Sequence, residues 1–418
     1  MKVKISPGFA QGKITIPPSK SLLHRAIISA SLADGTSKIS NVIFSEDIKA
    51  TINAFTQLGV DIKKYKNSLI ITKNKPFTFT GKEIINCNES GSTLRFLIPI
   101  LANNSGIKFT GKTSLMNRPL SIYETIYKDN NNIFNLEKGI LYLENEIKAG
   151  HYKIPGNISS QFISGLLFAL PFKKQDSVIE VTEKFESKNY VRMTIDTLNK
   201  FGIKIDNKDN HFYIKGNQKY KPCNIVIESD YSQLAFFAVA GIINGDIVIN
   251  NISSYSLQPD SKIVNIIKEM NGKIIYKNNS YHVYKSKTNG IDIDLSQHPD
   301  IGPILSILAG LSQGKTNLLN AERLKIKETN RLKASYEVLK KLGVDVEIGK
   351  DSLSIVGQEK FNGNIFKSYN DHRMVMSIAI AALKNKQTIL INNAEAINKS
   401  YPSFFKDLQS LGIKIEYM

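Results

Sequence analysis

The chain has 418 residues, of which 42% are hydrophobic and 22% are charged, a composition typical of globular proteins rather than of disordered ones. This length exceeds what one hydrophobic core usually serves, so it predicts two domains. The 55 basic and 37 acidic residues give a net charge of +18, which points to an anionic partner, although lysine-rich composition throughout the chain explains the excess without one.

Segments that contain a glycine turn recur along the chain at a nearly constant interval. They are FTQLGVDI around Gly59, LNKFGIKI around Gly202, IKEMNGKI around Gly272, LKKLGVDVEI around Gly343 and LQSLGIKIEY around Gly412. The last four glycines are 70, 71 and 69 residues apart, and the first gap of 143 predicts a further copy near residue 130. Each segment predicts a helix that ends at the glycine and is followed by a strand.

A second, mostly apolar helix is predicted about 40 residues before each turn. The first turns of these helices fall near Ser21, Ser92, Gln161, Gln233, Pro303 and Arg373. Polar residues suited to capping precede each of them, and their apolar length predicts that they are buried. Each repeat also carries a strand that runs into a polar segment.

The repeated unit is therefore strand, buried helix, strand, amphipathic helix and paired strands. Six such units of about 70 residues, three to a domain, predict an α/β fold in which sheets cover buried helices. If the buried helices direct their first turns at a common region, their free N–H groups attract anions there. Because six helix ends supply about 2–6 kcal/mol at most, lysine and arginine side chains must provide the remaining affinity.

Other features exclude several classes of protein. No apolar run reaches the roughly 18 residues that a membrane span needs. The first residues, MKVKISPGFAQGK, lack the pattern of a signal or transit peptide, so we expect a cytoplasmic protein. Cys87 and Cys223 are too few for a disulfide framework, no spacing of ligand residues supports a metal site, and no lysine or arginine block of the nucleic-acid-binding type occurs.

The repeats and a series of short motifs resemble those of the 5-enolpyruvylshikimate-3-phosphate synthase family. The motifs are IPPSKSLLHRA, SGSTLRF, NRP, SSQF, SKNY, HPD, IKETNR, YNDHR and NKSYP, in this order over essentially the whole chain. The resemblance implies a two-domain inside-out α/β barrel of six repeats. It places residues 19–228 in a domain on the shikimate 3-phosphate side, residues 1–18 and 229–418 in the other domain, and the active site in the cleft between them.

The resemblance also implies the reaction. The enolpyruvyl group of phosphoenolpyruvate is transferred to the 5-hydroxyl of shikimate 3-phosphate, and a tetrahedral adduct then eliminates inorganic phosphate, as a step of the shikimate pathway. Arginine suits the two anionic substrates because its guanidinium binds carboxylate and phosphate groups through two hydrogen bonds. We expect no cofactor, no metal, no nucleic-acid or membrane partner, and a monomer.

Site residues follow from the resemblance, motif by motif. Phosphoenolpyruvate would be bound by Lys20, Gly91, Ser92, Arg118, Gln161, Arg331, Arg373 and Lys399. Shikimate 3-phosphate would be bound by Lys20, Ser21, Arg25, Ser159, Ser160, Gln161, Ser187, Tyr190, Asp300 and Lys327. The implied catalytic residues are Asp300, which takes the hydroxyl proton, Glu328, which shuttles the methylene proton, and Lys20.

Most of these residues also have a simpler interpretation. The alternatives are a surface charge for Arg25, an exposed helical pair for Glu328 with Lys327 and Arg331, a helix cap for Asp300, Ser159 and Ser160, packing for Tyr190, and orientation of a neighbour or core packing for His372. GLSQGKT resembles a phosphate-binding loop, but it is one residue short and follows a helix instead of preceding one.

Two positions depart from the common pattern of the family. Glu89 stands where asparagine is common, and Asn330 stands where aspartate often precedes the arginine. A carboxylate near an anion site should repel substrate unless it pairs with a lysine or an arginine. These two residues therefore leave the affinity for phosphoenolpyruvate, and for its competitor glyphosate, open.

Two other functions compete with this interpretation. The related enolpyruvyl transferase that acts on UDP-N-acetylglucosamine normally carries a cysteine or an acidic substitute in one loop. In this chain the corresponding segment is GKTSLMNRP, which contains neither. A basic repeat protein that binds RNA would fit the charge and the repeats. It would not require Asp300, Glu328 and the predicted cations together.

Overall fold

The computed structural model describes residues 1–81, 83–103 and 105–418. The chain divides into two compact units: a discontinuous unit of Met1–Pro17 and Ser229–Met418, and a continuous unit of Pro18–Glu228. The first division falls directly after Pro17, one residue before the boundary expected from the sequence. Two consecutive prolines there restrict the chain to extended backbone, which suits a connection between units.

The described residues form thirteen α-helices and six 3₁₀ segments. The helices are α1 Lys20–Leu32, α2 Glu46–Gln57, α3 Gly91–Leu101, α4 Thr113–Met116, α5 Ser121–Asp129, α6 Ser160–Ala169, α7 Lys188–Lys200, α8 Tyr231–Asn244, α9 Lys262–Glu269, α10 Gly302–Ala309, α11 Arg331–Lys341, α12 His372–Ala381 and α13 Phe404–Ser410. The 3₁₀ segments are Leu170–Phe172, Pro259–Ser261, Pro299–Ile301, Glu322–Ile326, Ala382–Lys384 and Ala394–Lys399.

Strands follow the helices in a regular alternation. They are β1 Lys2–Ile5, β2 Ala10–Thr15, β3 Gly35–Ser40, β4 Asp61–Lys64, β5 Ser68–Lys73, β6 Ile84–Asn86, β7 Ile107–Thr110, β8 Ile133–Glu137, β9 Ile140–Glu144, β10 His151–Pro155, β11 Ser177–Thr182, β12 Ile205–Lys208, β13 His211–Ile214, β14 Ile225–Val226, β15 Gly245–Asn250, β16 Lys273–Lys277, β17 Ser280–Tyr284, β18 Asp292–Asp294, β19 Lys315–Leu319, β20 Asp345–Ile348, β21 Leu353–Val356, β22 Ile365–Lys367, β23 Ile389–Asn392 and β24 Ile415–Tyr417.

Over the described ranges these strands form six four-stranded sheets with one shared topology, three in each unit. In the continuous unit the orders are β14-β3-β5-β4, β6-β7-β9-β8 and β10-β11-β13-β12. In the discontinuous unit they are β2-β15-β17-β16, β18-β19-β21-β20 and β22-β23-β1-β24. The first pair in each order is parallel and the other two pairs are antiparallel. The amino-terminal strands β1 and β2 thus complete sheets of carboxyl-terminal residues, as the resemblance implies.

Six apolar helices form the centres of two hydrophobic cores. Helices α1, α3 and α6 belong to the core of the continuous unit, and α8, α10 and α12 belong to the core of the discontinuous unit. Every residue of α10 and α12 is buried, as are Tyr231–Ile243 of α8. The predicted α/β class with buried helices covered by sheets is confirmed. No helix in the part of the chain that the structure describes is long and apolar enough to cross a membrane.

The turns after the amphipathic helices show why the repeat was visible in the sequence. Gly59, Gly202, Gly343 and Gly412 have φ between 79° and 89°, a left-handed conformation that glycine adopts without strain. In the third of the five turns the left-handed residue is Asn271, with φ of 67°, and not the predicted Gly272. The further copy expected near residue 130 is present, because α5 ends at Asp129 and Asn131 takes φ of 54°.

Candidate active site

The buried helices begin with side-chain caps, which place the predicted site residues in their first turns. Ser19, Ser90, Ser159, Asp230 and Asp371 cap α1, α3, α6, α8 and α12, each by accepting a backbone N–H. Helix α10 instead follows the 3₁₀ turn Pro299–Ile301, and Ile301 occupies its capping position. The interpretation of Asp300 as a helix cap is therefore wrong. For the two serines, only Ser159 is a cap, because Ser160 is the first residue of α6.

Lys20 lies at the first position of α1, in the continuous unit. Its Nζ donates to Oδ2 of Asp47 at 2.6 Å, and the two side chains are only 17% and 9% exposed. This ion pair fixes the direction of the Lys20 side chain at the start of the helix. Asp47 was not among the residues predicted from the sequence, although its position in the first turn of α2 is a typical place for a carboxylate.

Arg25 is buried, so the interpretation of this residue as a surface charge is wrong. Its guanidinium donates to Thr194 Oγ1 at 2.8 Å, to the Ser21 carbonyl at 2.7 Å and to the Tyr190 carbonyl at 3.0 Å. It also lies 5.2 Å from the centre of the Phe96 ring. Burial lowers its pKa to about 10, with a partial opposing effect of Tyr190. Arg25 thus joins the starts of α1 and α7.

Four predicted residues of the continuous unit lie together around the start of α3. A Cβ atom added at Gly91 would lie 2.9 Å from Arg118 Nη1 and 3.6 Å from Gln161 Oε1. Gln161 Nε2 donates to Ser92 Oγ at 3.0 Å, and Gln161 Oε1 accepts from Arg95 Nη1 at 2.9 Å. The missing side chain at Gly91 therefore lets the guanidinium of Arg118 approach the helix backbone closely.

The remaining predicted residues of this unit also lie at helix starts. Ser21 follows Lys20 in α1, and Ser187 occupies the N-cap position of α7 in a left-handed conformation with φ of 54°. Ser187 is fully buried, whereas Tyr190 is half-buried in the first turn of α7. The Tyr190 carbonyl accepts from Arg25, a contact consistent with the interpretation of Tyr190 as a packing residue.

Asp300 is the centre of a charge network in the discontinuous unit. Its carboxylate contacts Lys327 Nζ at 3.0 Å, Arg331 Nη1 at 3.0 Å and Arg373 Nη2 at 3.2 Å. Arg373 also donates to the Asp300 carbonyl at 3.0 Å. Burial opposes ionisation of Asp300, but Arg373, Lys327 and Arg331 outweigh it and hold the pKa of Asp300 well below its ordinary value. Burial also lowers the pKa of Lys327, an effect that Asp300 partly offsets.

Arg331 connects three carboxylates and is itself 1% exposed. Besides Asp300 it contacts Glu328 Oε2 at 2.6 Å and Asp371 Oδ2 at 2.8 Å. Burial disfavours its charge, but Asp371, Glu328 and Asp300 raise the pKa of Arg331 above its ordinary value. Because its partner is buried, Glu328 does not belong to an exposed helical charge pair, and that interpretation is wrong.

Asp371 contacts two of the predicted cations, and its neighbour Asn370 contacts Lys399. The Asp371 carboxylate both holds Arg331 and caps α12 by accepting from Arg373 N at 2.9 Å. Lys399, at the end of Ala394–Lys399 and mostly buried, donates from Nζ to the carbonyl of Asn370. Ion pairs thus join five predicted residues of this unit, Asp300, Lys327, Glu328, Arg331 and Arg373, and Asp371, which the YNDHR motif contained without a predicted role. The sixth, Lys399, contacts Asn370, the residue before Asp371.

His372 and the two departures from the family pattern each have a defined environment. His372 is buried at the first position of α12, with Nδ1 3.9 Å from Asp371 Oδ1. Asn330 caps α11 by accepting from Lys333 N at 3.0 Å. Glu89, also buried, contacts Lys112 Nζ at 3.2 Å and accepts from Ser114 Oγ at 2.9 Å. The added carboxylate of Glu89 is therefore paired with a lysine.

Asp260 is a buried carboxyl that sequence analysis missed. Its Oδ2 accepts from Ser232 Oγ in the first turn of α8, and its Oδ1 has no hydrogen-bond partner among the described residues. Burial and the neighbouring Asp300 raise the pKa of Asp260 to about 7, although Arg373 acts in the opposite direction. Its only sequence signal was its place in the polar segment SLQPD.

Asp260 predicts a specific dependence of stability on pH. Because its pKa is higher in the folded chain, folding binds a proton, and this contribution to stability is lost as the pH rises through about 7. The free energy of unfolding of Asp260→Asn should therefore be compared with that of the parent at two pH values. The difference should favour the variant by on the order of 2 kcal/mol more at pH 8 than at pH 5. Urea denaturation at both pH values measures this difference, with Asp292→Asn, an exposed aspartate, as the control. Equal effects of Asp260→Asn at both pH values would contradict the assignment.

No group of three or more histidine, cysteine, aspartate or glutamate residues with metal-binding geometry occurs within residues 1–81, 83–103 and 105–418.

Comparisons with known proteins indicate one family. A family model described as EPSP synthase (3-phosphoshikimate 1-carboxyvinyltransferase) matches residues 6–408. A 3-phosphoshikimate 1-carboxyvinyltransferase of Clostridium acetobutylicum is 47% identical, with 98% of this chain and 97% of that protein covered. One of Clostridium kluyveri is 46% identical, with 99% and 98% covered.

Solved structures show the same fold. An EPSP synthase from Acinetobacter baumannii matches with a TM-score of 0.82 and 25% sequence identity, and all of both chains is covered. The enolpyruvyl transferase NikO from Streptomyces tendae matches with a TM-score of 0.81, and 100% of this chain and 98% of that chain are covered. Because NikO is only 13% identical, its likeness supports the fold alone.

Proposed function

Because the chain belongs to the EPSP synthase family, we propose that it transfers the carboxyvinyl group of phosphoenolpyruvate to the 5-hydroxyl of shikimate 3-phosphate and releases inorganic phosphate. The observation that carries the proposal is the set of three cations around Asp300, in a chain that matches this family from residue 6 to residue 408. The family match also favours this reaction over transfer to UDP-N-acetylglucosamine and over RNA binding.

Both substrates are anions, and the two groups of residues supply matching cations. In the continuous unit, Lys20, Arg118 and the first turn of α3 would bind phosphoenolpyruvate, with Ser21, Arg25, Ser159, Ser160, Gln161, Ser187 and Tyr190 on the side of shikimate 3-phosphate. In the discontinuous unit, Lys327, Arg331, Arg373 and Lys399 would complete the binding of both. Guanidinium groups suit this task because they pair with carboxylate and phosphate oxygens in a fixed geometry.

Two carboxylates would move the protons. In the addition step, the 5-hydroxyl oxygen bonds to C2 of phosphoenolpyruvate, Asp300 takes the hydroxyl proton, and Glu328 gives a proton to C3. In the elimination step, the bond from C2 to the phosphate oxygen breaks, Glu328 takes a proton back from C3, and phosphate leaves with the proton held by Asp300.

Release of phosphate tests the proposal. The chain should release inorganic phosphate only when phosphoenolpyruvate and shikimate 3-phosphate are both present. Replacing shikimate 3-phosphate by UDP-N-acetylglucosamine should abolish the release. RNA retention on a filter at physiological salt, without dual-substrate phosphate release, would favour the RNA-binding alternative and reject the proposed reaction.

Gly91 provides a prediction about substrate affinity. In Gly91→Ala the new Cβ would meet Arg118 Nη1 at 2.9 Å, so the guanidinium must move away from the start of α3. We expect the KM for phosphoenolpyruvate to rise by about 10- to 100-fold while the fold is kept. Steady-state kinetics measures this change, and Gly150→Ala, where a Cβ meets no atom within 4 Å, is the matched control. An unchanged KM in Gly91→Ala would contradict the predicted position of phosphoenolpyruvate.

The proposal also includes the domain arrangement, the oligomeric state and the cellular location of the enzyme. We propose that residues 19–228 and residues 1–18 with 229–418 are domains that close on the substrates in the cleft between them, and that the enzyme is a cytoplasmic monomer. The unpaired Cys87 and Cys223 are typical of a reducing compartment. Small-angle scattering should show a monomer that becomes more compact with both ligands, and an unchanged radius of gyration would reject domain closure.

A further inference from the structure

A chain of buried polar side chains joins α1 to the start of α3 through α2. His24 Nδ1 lies 2.8 Å from Thr51 Oγ1, and Thr51 Oγ1 lies 2.7 Å from Thr93 Oγ1. Thr93 Oγ1 donates to Ser90 Oγ at 2.7 Å, and Thr93 N donates to the same oxygen at 3.1 Å. None of the four residues is more than 1% exposed, so bulk water cannot offer them other partners.

His24 is electrically neutral in this environment. Burial, followed by the nearby charges of Lys20 and Arg25, lowers the pKa of His24 well below its ordinary value. A neutral imidazole has a single N–H, on either Nδ1 or Nε2. Nε2 is buried and has no hydrogen-bond partner among the described residues.

The hydrogen bonds determine which nitrogen carries the proton. If it were on Nε2, a buried N–H would have no acceptor, which is rare in folded proteins. Thr51 would then donate to Nδ1, and because Thr93 donates to Ser90, no proton would lie between the Thr51 and Thr93 oxygens. With the proton on Nδ1, His24 donates to Thr51, Thr51 to Thr93 and Thr93 to Ser90, and every contact has one proton.

The direction of these hydrogen bonds has a consequence at Ser90, where the network ends. Ser90 Oγ accepts two hydrogen bonds from Thr93, so the capping geometry of α3 is held from both the side chain and the backbone. The Ser90 proton is the one proton that these contacts leave for an acceptor outside the network. Gly91 and Ser92, which follow directly, are the residues proposed to face phosphoenolpyruvate.

We propose that His24 is a positioning residue for phosphoenolpyruvate: through Thr51 and Thr93, its Nδ1–H fixes the Ser90 hydroxyl and the first turn of α3. This inference rests on the proposed function only for the identity of the ligand. Since the network is present before any ligand binds, it should affect ground-state and transition-state binding alike. Its loss should therefore raise KM and leave kcat nearly unchanged.

The tautomer of His24 is measurable without any activity. Long-range ¹H–¹⁵N correlation spectra of the uniformly labelled chain should show one neutral histidine with its proton on Nδ1 that stays neutral at pH 5, and this signal should be absent from His24→Asn. A proton on Nε2, or protonation of His24 above pH 6, would overturn the proposal. This result does not depend on whether the chain has the proposed activity.

Substitution of Thr51 tests the positioning role. Thr51→Val keeps the shape and removes the hydroxyl, so the KM for phosphoenolpyruvate should rise about tenfold with kcat within about twofold of the parent. Thr51→Ser should restore the parental KM. The control is Thr197→Val, which removes a buried hydroxyl bonded to the Met193 carbonyl in the same unit and should leave both constants unchanged.

Two outcomes have different meanings. A parental KM in Thr51→Val, or a change no larger than in Thr197→Val, would overturn the positioning role even if the chain is fully active. Absence of dual-substrate phosphate release from the parent chain would reject the proposed function, whereas the tautomer of His24 would still support or overturn the network.

Discussion

Replacing Asp300 by asparagine should lower kcat by about 10²- to 10⁴-fold, the range usual for loss of a general base. Asparagine keeps the shape of the side chain and an oxygen that can accept from Arg373, but it cannot take the hydroxyl proton. The pKa of Asp300 lies well below its ordinary value, so the carboxylate is ionised and able to accept a proton throughout the neutral range. Phosphate release at saturating concentrations of both substrates measures the effect.

The control for Asp300→Asn is Asp292→Asn in the same unit. Asp292 is exposed and accepts from Asn317 Nδ2, away from the cations of the network, so its replacement should keep kcat within about twofold of the parent. If Asp300→Asn retains near-parental turnover, Asp300 is not the base. The assignment to the family would stand in that case, but the proposed proton transfer would not.

Replacing Arg331 by methionine should reduce the free energy of unfolding by about 3–5 kcal/mol at pH 7, because it removes the cation from a buried group of ion pairs. Asp371 would lose its bidentate partner, and Glu328 and Asp300 would each lose a contact of 3.0 Å or less. Methionine fills a similar volume, so loss of charge rather than loss of packing should dominate. Urea denaturation of parent and variant measures the difference.

The effect of Arg331→Met on the free energy of unfolding should depend on pH in one direction. In the parent, the lowered pKa of Asp300 stabilises the fold above about pH 4, and this contribution is lost as the pH falls through the folded-state pKa. The difference in the free energy of unfolding between parent and variant should therefore narrow as the pH falls below about 4. Lys333→Met, which changes an exposed lysine of the same helix, should stay within about 0.5 kcal/mol of the parent at every pH. If the difference in the free energy of unfolding between parent and Arg331→Met did not change with pH, the ionic origin of the stabilisation by Arg331 would be contradicted.

The positions of the buried helices were predictable because a repeated structural unit leaves a repeated pattern. Helices near Ser21, Ser92, Gln161, Gln233, Pro303 and Arg373 begin within two residues of the expected places. The turn near residue 130 was also found by spacing, although asparagine replaces glycine there. At these positions the local preference of the residues for caps and turns agrees with the pattern of buried and exposed residues, so the sequence predicts the element correctly.

Contacts between helices were not predictable in the same way. His24 and Thr51 are 27 residues apart, and Ser232 and Asp260 are 28 residues apart, so their pairing depends on how neighbouring helices pack. Periodicity identifies the buried face of a helix but not the partner of a polar residue on it. The 3₁₀ turn at Asp300 shows a related limit, because a polar residue before a helix is expected to be its cap.

The most direct measurement of the central claim is the fate of ¹³C-labelled phosphoenolpyruvate incubated with the chain and shikimate 3-phosphate and followed by NMR. We predict that the labelled carbons appear in an enol ether at the 5-oxygen of shikimate 3-phosphate, with one inorganic phosphate released for each ether formed. Label that remains in phosphoenolpyruvate, or that appears as pyruvate beside free phosphate, would contradict carboxyvinyl transfer.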